Sequence, residues 1–338
     1  KVCGTAESGR AQPMLVYLLR RLGQSLFVVA AMAVLVFVGV YAIGNPIDIM
    51  ISPDADQAEM EAAIARLGLD KPLWEQFYIF VVNALQGDLG RSFVYSTDAL
   101  GLILSKLPAT MELAMLALIF AIFLGVPLGM IAGLRPNSIA GKTIMTGSIM
   151  GFSLPNFWQG MMLILLFAVI FKILPSGGRG DTVVVFGVAW SFLTLDGLSH
   201  MLLPAINLAL FKTSLVIRLA RAGTREAVLQ DYVKFARAKG LSPHRIVLVH
   251  IAKNIMIPVV TILGLELGSM IAFAVVTETV FAWPGMGKLL IDSINLLDRP
   301  VVVAYLMLTV LMFIIINFVV DMLYCVLDPR VRLSEAKA

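Results

Sequence analysis

The sequence is poor in charge and in cysteine. Only 14% of its 338 residues are Asp, Glu, Lys or Arg, whereas about 25% is usual for a soluble domain. Hydrophobic residues make up 59%, more than one soluble core of this size can bury. The two cysteines, Cys3 and Cys325, provide neither a disulfide framework nor a zinc site. These numbers exclude disordered, collagenous and disulfide-rich classes and predict an all-α polytopic membrane protein.

Motifs of the common enzyme classes are also missing. The stretch Gly141-Lys142-Thr143 is similar to the end of a nucleotide-binding loop, but Pro136 occupies the place of the required first glycine. The three histidines do not form an H-E-x-x-H zinc motif, and no G-x-S-x-G elbow is present. We therefore expect no catalytic residue, no metal site and no cofactor bound by this chain.

Six segments are long and apolar enough to cross a bilayer, which takes about 20 residues of helix. The third is interrupted at Ser153-Leu154-Pro155-Asn156. The first continues beyond the length of a signal-peptide core, so we interpret it as a retained span. Residues 1–13 are expected to be a disordered extension, and 14–338 a transmembrane domain. The predicted spans are about 22–43, 113–133, 143–171, 201–217, 258–277 and 301–320.

The distribution of basic residues predicts the orientation. Seventeen Lys and Arg residues fall on the side that holds both termini and residues 218–257, and eight fall on the other side. The more basic side is the cytoplasmic one. The segment 44–110 is then periplasmic. Its apolar periodicity predicts two helices, near residues 54–67 and 74–85, and the second lies either on the membrane surface or against the spans.

The cytoplasmic segment 218–257 contains a short predicted helix. Asp231 is a possible N-cap, Tyr232–Lys239 form two turns, and Gly240 supplies the stop. Ser242-Pro243 then begins the next helix. A helix this short is marginal alone. Its small residues allow close approach by another protein, and the alternative is a solvated basic loop that serves only topology.

The eleven residues Asp231 to Leu241 carry a resemblance to a known family. They resemble the D-Y-x-x-x-A-R-A-K-G-L form of the EAA coupling loop in bacterial ABC-importer permeases of the dipeptide, oligopeptide and nickel type. The resemblance covers nearly the whole chain from Met14. Its other collinear stretches are Leu18–Leu22, Leu67–Leu73, Gly87–Phe93, Leu107–Leu113, His200–Ala205, Thr277–Gly285 and Asp328–Arg332.

The resemblance implies a six-helix permease fold of a type I ABC importer in the bacterial inner membrane. The subunit forms half of the pathway for dipeptides or oligopeptides that a periplasmic binding protein delivers. A second, similar permease completes the pathway, and two separate ATPase subunits bind ATP and Mg. The implied ATPase-docking residues are Asp231, Tyr232, Lys234, Phe235, Ala236, Arg237, Ala238, Lys239, Gly240 and Leu241.

The loop departs from the general consensus of the family. Lys234-Phe235-Ala236 stands where Glu-Ala-Ala is expected, although Gly240 is in place. This removes the loop glutamate that would form a salt bridge with the ATPase. The docking role itself does not depend on that glutamate.

Polar residues within the spans need a reason, since a charge at the centre of a helix costs about 2.5–3.5 kcal/mol on insertion scales. Lys212 and Glu266 either face the pathway or pair with each other. Asp321 is expected to form a structural ion pair with Arg218 or Arg221. The pathway candidates are Lys212, Glu266, Glu278, Asn317, Pro155 and Asn156.

Two alternatives remain open at this point. The same scaffold carries importers of nickel chelates, glutathione and opines, because cargo choice lies largely in the binding protein. The other alternative is an ion-coupled secondary transporter, which would work without partner subunits.

Overall fold

The computed structural model describes the backbone of residues 14–42 and 70–327. Within these ranges, the side chains of residues 14–21, 40–42, 257, 321 and 323–327 are not described. The first helix predicted in the periplasmic segment and the motif Asp328–Arg332 therefore lie outside the described residues.

The described chain is almost entirely helical. Its helices are α1 Met14–Ala42, α2 Leu73–Leu85, α3 Ala99–Leu134, α4 Ile139–Ser153, α5 Asn156–Leu163, α6 Leu195–Leu229, α7 Asp231–Ala238, α8 Pro243–Arg245, α9 Ala252–Val280, α10 Met286–Asn295 and α11 Arg299–Leu327. Two π-helical segments, Ile164–Ile170 and Ile246–Ile251, follow α5 and precede α9. Strands β1 Val183–Val185 and β2 Val188–Trp190 form one antiparallel hairpin, with Val184 opposite Ala189.

Five of the helices are long and apolar enough to cross a membrane, namely α1, α3, α6, α9 and α11. The pair formed by α4 and Asn156–Ile170 passes the same test but is bent by 109°, as a broken span or a re-entrant loop. Helices α3 and α6 extend well beyond the predicted spans, because charged residues such as Glu112 end an apolar window without ending a helix. Side chains cap their first turns: Asp98 accepts from the Gly101 N–H and Thr194 from the Gly197 N–H.

The bend between α4 and α5 lies at Pro155. Proline disfavours the helical conformation of the residue before it, and Leu154 has extended backbone angles of φ −81° and ψ 139°. The Gln159 side chain donates to the carbonyl oxygens of Gly151 at 3.0 Å and Leu154 at 2.8 Å. These bonds satisfy carbonyl groups that the bend removes from the helix, as the interior of a membrane requires.

A repeat of small residues joins α3 to α6. Three glycines recur at every fourth position of α3, and a Cβ built on each would lie only 2.6–2.7 Å from a side chain of α6. Such distances are far below van der Waals contact, so only glycine permits this approach of the two backbones. The glycines are Gly125, Gly129 and Gly133, and they face Val216, Ala220 and Thr224 in that order.

One apolar cluster joins α7 to the long helices. It comprises buried residues from α3, α6, α7, the second π-helix and α9, including Ala220, Val233, Ala236, Ile251 and Ile255. The short helix α7 is thus held by tertiary packing, which its length of eight residues requires.

Candidate coupling and translocation site

Helix α7 begins one residue earlier than the pattern predicts. The N-cap position is Gln230, whose extended backbone separates α7 from α6, and no side chain caps the helix. Asp231 is therefore the first helical residue, and its expected N-cap role is wrong. Its carboxylate instead accepts a hydrogen bond from Lys234 Nζ at 2.9 Å. The Lys234 ammonium lowers the pKa of the Asp231 carboxyl, which favours the negative charge near the helix N-terminus.

The end of α7 is the stop predicted from Gly240. This residue has a φ of +74°, a left-handed conformation that glycine adopts without steric cost. Its N–H donates to the carbonyl of Arg237 at 2.9 Å, and the Leu241 N–H donates to that of Ala236 at 3.2 Å. Ser242 then caps α8 through its hydroxyl. The chain therefore turns sharply on both sides of α7.

The two faces of α7 differ in burial. Val233 and Ala236 are buried against the cluster that joins α7 to the spans. Tyr232 and Phe235 are exposed, and the ammonium of Lys239 lies 4.7 Å from the Phe235 ring centroid. The remaining exposed residues are Asp231, Lys234, Arg237, Ala238, Lys239 and Gly240. The outer face is therefore aromatic and basic, and it is available to another molecule.

Close approach of a partner does not explain Ala236. The sequence interpretation treated the small residues of this helix as space for another protein, whereas Ala236 is 5% exposed and contacts the chain's own core. A Cβ built on Gly240 would meet no atom within 4 Å among the residues that the structure describes. The positive φ, and not lack of space, is therefore what favours glycine there. Sequence alone does not distinguish an alanine that faces inward from one that faces a partner.

Lys212 and Glu266 form an ion pair between α6 and α9. Lys212 is 8% exposed, and its ammonium also donates to Ser269 Oγ at 2.9 Å. The Ser269 hydroxyl in turn donates to Glu266 Oε2 at 2.7 Å. Of the two readings of these residues, pairing is the one observed. About a third of the Glu266 side chain, 32%, nevertheless remains exposed.

The bend at Pro155 adjoins a second polar cluster. The side-chain amides of Asn156 and Asn207 both donate to Thr277 Oγ1, at 3.2 and 3.1 Å. Asn207 is almost fully buried, and its amide oxygen has no hydrogen-bond partner among the described residues. These contacts join α5, α6 and α9. Asn156 is only half-buried.

Glu278 is enclosed rather than lining an open path. Its carboxylate accepts hydrogen bonds from Thr110 Oγ1 at 2.6 Å and from the Lys288 N–H at 2.9 Å. Nearby, the buried Trp283 indole donates to the carbonyl of Ala109 at 2.9 Å. The residues of Thr277–Gly285 and of Leu107–Leu113 that the sequence singled out as motifs are thus hydrogen-bonded to each other.

The sequence analysis missed a buried ion pair between Arg179 and Glu112. The guanidinium donates to Glu112 Oε2 at 3.0 Å, to Ser191 Oγ at 2.9 Å and to the Ala189 carbonyl at 2.6 Å. It also lies 5.9 Å from the Trp283 ring centroid. A glutamate in an apolar helix signals a missing cation, but the sequence does not show that the partner lies 67 positions away.

The remaining candidates lie at the edges of the spans. Asn317 is half-buried and lines a cavity of about 140 Å³ between α1 and α11. The Arg218 guanidinium lies 4.5 Å from the Phe152 ring centroid. The Nε atom of Arg221 is buried without a hydrogen-bond partner among the described residues. The side chain of Asp321 lies outside the described residues, so its pairing with either arginine stays a prediction.

The architecture defines a class of membrane protein. Five long apolar helices, a bent pair and a short helix at the end of α6 compose a multi-pass membrane protein. A solved chain of the MetNI methionine ABC transporter, in an inward-facing conformation, is similar to it with a TM-score of 0.51 at 15% identity. The match covers 67% of this chain and 96% of that one. The fold is that of a type I ABC-importer permease.

Family profiles identify the chain more closely. The profile described as the binding-protein-dependent transport system inner membrane component matches residues 125–333, and its N-terminal companion matches residues 14–114. The chain belongs to this family of inner-membrane permease subunits, which serve ABC importers and are not enzymes. The family works with binding proteins and separate ATPase subunits, as the resemblance implied.

Several curated proteins are similar over almost their entire length. The di/tripeptide transport system permease protein DppB of Pseudomonas aeruginosa is 39% identical, and the dipeptide permease DppB of Escherichia coli K12 is 37% identical. The glutathione transport system permease protein GsiC of Escherichia coli K12 is 36% identical. Each match covers 94% of this chain and 99% of the relative.

Proposed function

We propose that the chain forms one half of the pathway of an ATP-driven importer whose cargo is a dipeptide or short peptide. A periplasmic binding protein delivers the peptide, and a second, similar permease completes the pathway. Two ATPase subunits, which bind ATP and Mg, dock on α7 from the cytoplasm. Both termini then lie in the cytoplasm, in agreement with the excess of basic residues on that side.

The observation that carries this proposal is the two-sided burial of α7. Its inner residues Val233 and Ala236 pack it against α6 and the second π-helix, while Tyr232 and Phe235 remain exposed beside basic side chains. Aromatic residues and arginine are enriched at protein interfaces, and Tyr232, Phe235 and Arg237 are all exposed on this face. A loop that served only topology would not need a helix seated in the core of the spans.

The exposed part of Glu266 supports a partner within the membrane. A carboxylate at the depth of a span faces protein or water, because contact with lipid tails is costly. Glu266 remains 32% exposed even when paired with Lys212. A second permease, with a water-filled pathway between the two, covers this face. We therefore place the pathway along the side that carries Glu266, Lys212 and the bend at Pro155 and Asn156.

The choice of a peptide cargo rests on the relatives. Two DppB proteins whose names specify dipeptides or tripeptides are 39% and 37% identical to this chain. The relative named for glutathione is 36% identical, so glutathione, itself a tripeptide, is the second candidate. Both cargoes carry an ammonium group and at least one carboxylate.

Reconstitution tests the proposal. The chain is incorporated into proteoliposomes with its partner permease, ATPase subunits and binding protein, and labelled dialanine and labelled glutathione are offered separately. We expect ATP-dependent uptake of dialanine that requires the binding protein. Uptake of glutathione without uptake of dialanine would show that glutathione, and not a dipeptide, is the cargo. Uptake by this chain alone, driven by an ion gradient without ATP, would contradict the ABC-importer function and favour a secondary transporter.

A further inference from the structure

The ion pair between Lys212 and Glu266 lies in the middle of two spans. Lys212 is 17 residues before the end of α6, which corresponds to about 26 Å along a helix. Glu266 is 14 residues into α9, about 21 Å from the start of that helix. The pair, with Ser269, is therefore far from the cytoplasmic end of either helix.

The same two helices flank the coupling segment. The chain runs down α6, through α7, α8 and the second π-helix, and back up α9. Close to α7, Ile255 of α9 lies beside Gly223 of α6. The Ile255 Cγ1 atom is 3.5 Å from the position that a Cβ on Gly223 would take. Higher up, Lys212 contacts Glu266. The polypeptide and these contacts together form a closed frame with α7 at its lower end.

Apolar packing alone does not fix such a frame in a membrane. Lipid tails are as apolar as Leu and Ile, so sliding of one apolar helix past another loses little burial. An ammonium and a carboxylate held within hydrogen-bond distance behave differently. A shift of either helix by one turn would leave a charge without its partner at the depth where this is most costly.

We propose that Lys212, Glu266 and Ser269 form a brace that makes α6 and α9 move as one rigid body with α7. A displacement of α7 by the ATPase subunits then reaches the middle of the membrane instead of being absorbed by sliding of the two helices. Lys212 and Glu266 are positioning residues in this role and touch neither cargo nor nucleotide. The inference rests on the proposed function, because it concerns the coupling that an ATP-driven importer needs.

The test measures transport and hydrolysis together in proteoliposomes that contain the whole assembly. Lys212→Met removes the charge at similar length. We expect hydrolysis to remain stimulated by the binding protein, while dipeptide taken up per ATP falls by about fivefold or more. The charge swap Lys212→Glu with Glu266→Lys restores the pair in reverse and should recover most of the ratio.

A matched control is available two residues away. Ser214 is also buried and polar on α6, but its hydroxyl donates to the Leu210 carbonyl of the same helix at 2.9 Å. Ser214→Ala therefore removes a buried polar group without touching the brace. We expect its uptake per ATP to equal that of the wild type.

Four results would overturn the proposal. Lys212→Met with an unchanged ratio shows that α6 and α9 do not need the pair. A raised half-saturating dipeptide concentration with an unchanged ratio at saturation shows that the pair contacts cargo.

If the charge swap does not improve on Lys212→Met, the effect does not come from the interaction between the two residues. If Lys212→Met does not assemble, isosteric Glu266→Gln replaces it, and a normal ratio there is equally contradictory. Lack of dipeptide uptake by the wild type would instead contradict the proposed cargo and would not bear on the brace.

Discussion

At the scale of single residues, Gly240 shows how backbone geometry fixes the end of α7. Its φ of +74° costs a residue with a side chain roughly 1–2 kcal/mol, although no atom of the described part of the chain, its direct neighbours aside, lies within 4 Å of the Cβ position. The cost is therefore strain within the turn and not a clash. A sequence shows the glycine, while the structure separates these two reasons for its presence.

Gly240→Val is expected to weaken the turn after α7 and to lower the yield of ATPase subunits that co-purify with the chain. Gly240→Asn should have a smaller effect, because asparagine tolerates the left-handed region. Gly147→Ala is the control, since Gly147 has neither a positive φ nor a neighbour within 4 Å. Equal ATPase yields from Gly240→Val and Gly147→Ala, measured on purified complexes, would contradict the strain argument.

Arg179 gives a second prediction at this scale. Arg179→Met leaves the Glu112 carboxylate buried without its cation, a loss of about 3 kcal/mol for a buried pair. We expect a lower Tm for the detergent-solubilised complex, and partial recovery in the double variant Arg179→Met with Glu112→Gln.

The control for Arg179 is Lys71→Met. The Lys71–Glu75 pair is exposed to solvent, so it should contribute little to stability. A Tm for Arg179→Met that matches that of Lys71→Met would show that Arg179 does not anchor the hairpin segment to α3.

At the scale of elements, the glycine repeat of α3 sets the distance to α6. Gly129→Leu places a side chain where a Cβ already lies 2.6 Å from the Ala220 Cβ and from the Ile217 carbonyl oxygen. The backbones must then separate, with an overpacking cost of about 1–3 kcal/mol or more. We expect a lower yield of folded protein. The yield is measured by size-exclusion chromatography after the membranes are solubilised in detergent.

Gly39→Leu on α1 is the matched control for this element. A Cβ at Gly39 meets no atom of the described residues within 4 Å, although Gly39 also lies in an apolar helix. Its folded yield should equal that of the wild type. Comparable losses for Gly129→Leu and Gly39→Leu would show that close approach of α3 and α6 is not what the glycines provide.

Helix α2 has an inner and an outer face, which bears on its relation to the membrane. Phe77 and Phe80 contact Phe37 of α1, with ring centroids 5.2 and 5.9 Å away. Trp74 and Tyr78 on the other side are 72% and 65% exposed. Aromatic side chains of this kind prefer the boundary between lipid headgroups and tails. We therefore predict that α2 packs on α1 and also lies at the membrane surface.

Fluorescence quenching tests the position of α2. With the other three tryptophans replaced by Phe, Trp74 emission should be quenched strongly by lipids that carry a spin label near the headgroup. Quenching by a label deep in the acyl chain should be weaker. Absence of shallow quenching in the full assembly would place this face against a protein partner.

At the scale of the whole molecule, the sequence predicted what depends on local pattern. Pro155 located the bend, and Gly240 located the end of α7. Five of the six predicted apolar runs overlap helices long enough to cross a membrane, and the third overlaps the bent pair of α4 and Asn156–Ile170. Pairs of residues far apart in the sequence could not be predicted. Glu112 and Arg179 are 67 positions apart, and Glu278 and Thr110 are 168 positions apart. Only the packing of α3, α9 and the outer turns brings them together.

The family was also predictable from a local sequence pattern. The coupling-loop resemblance pointed to ABC-importer permeases, and the profile match over residues 125–333 confirmed it. The structure shows which face of α7 is exposed. The spacing of residues in an eight-residue helix does not predict that face. It also showed that the mid-membrane charges Lys212 and Glu266 satisfy each other.

The most direct test of the account is a photo-crosslink from α7 in intact membranes. A photoreactive amino acid at Phe235, which is 62% exposed, is compared with the same amino acid at Tyr78, which is 65% exposed on α2. We predict an adduct with the ATPase subunit from Phe235 and none from Tyr78. No ATPase adduct from Phe235, in a complex that transports normally, would contradict the central claim that α7 docks the ATPase.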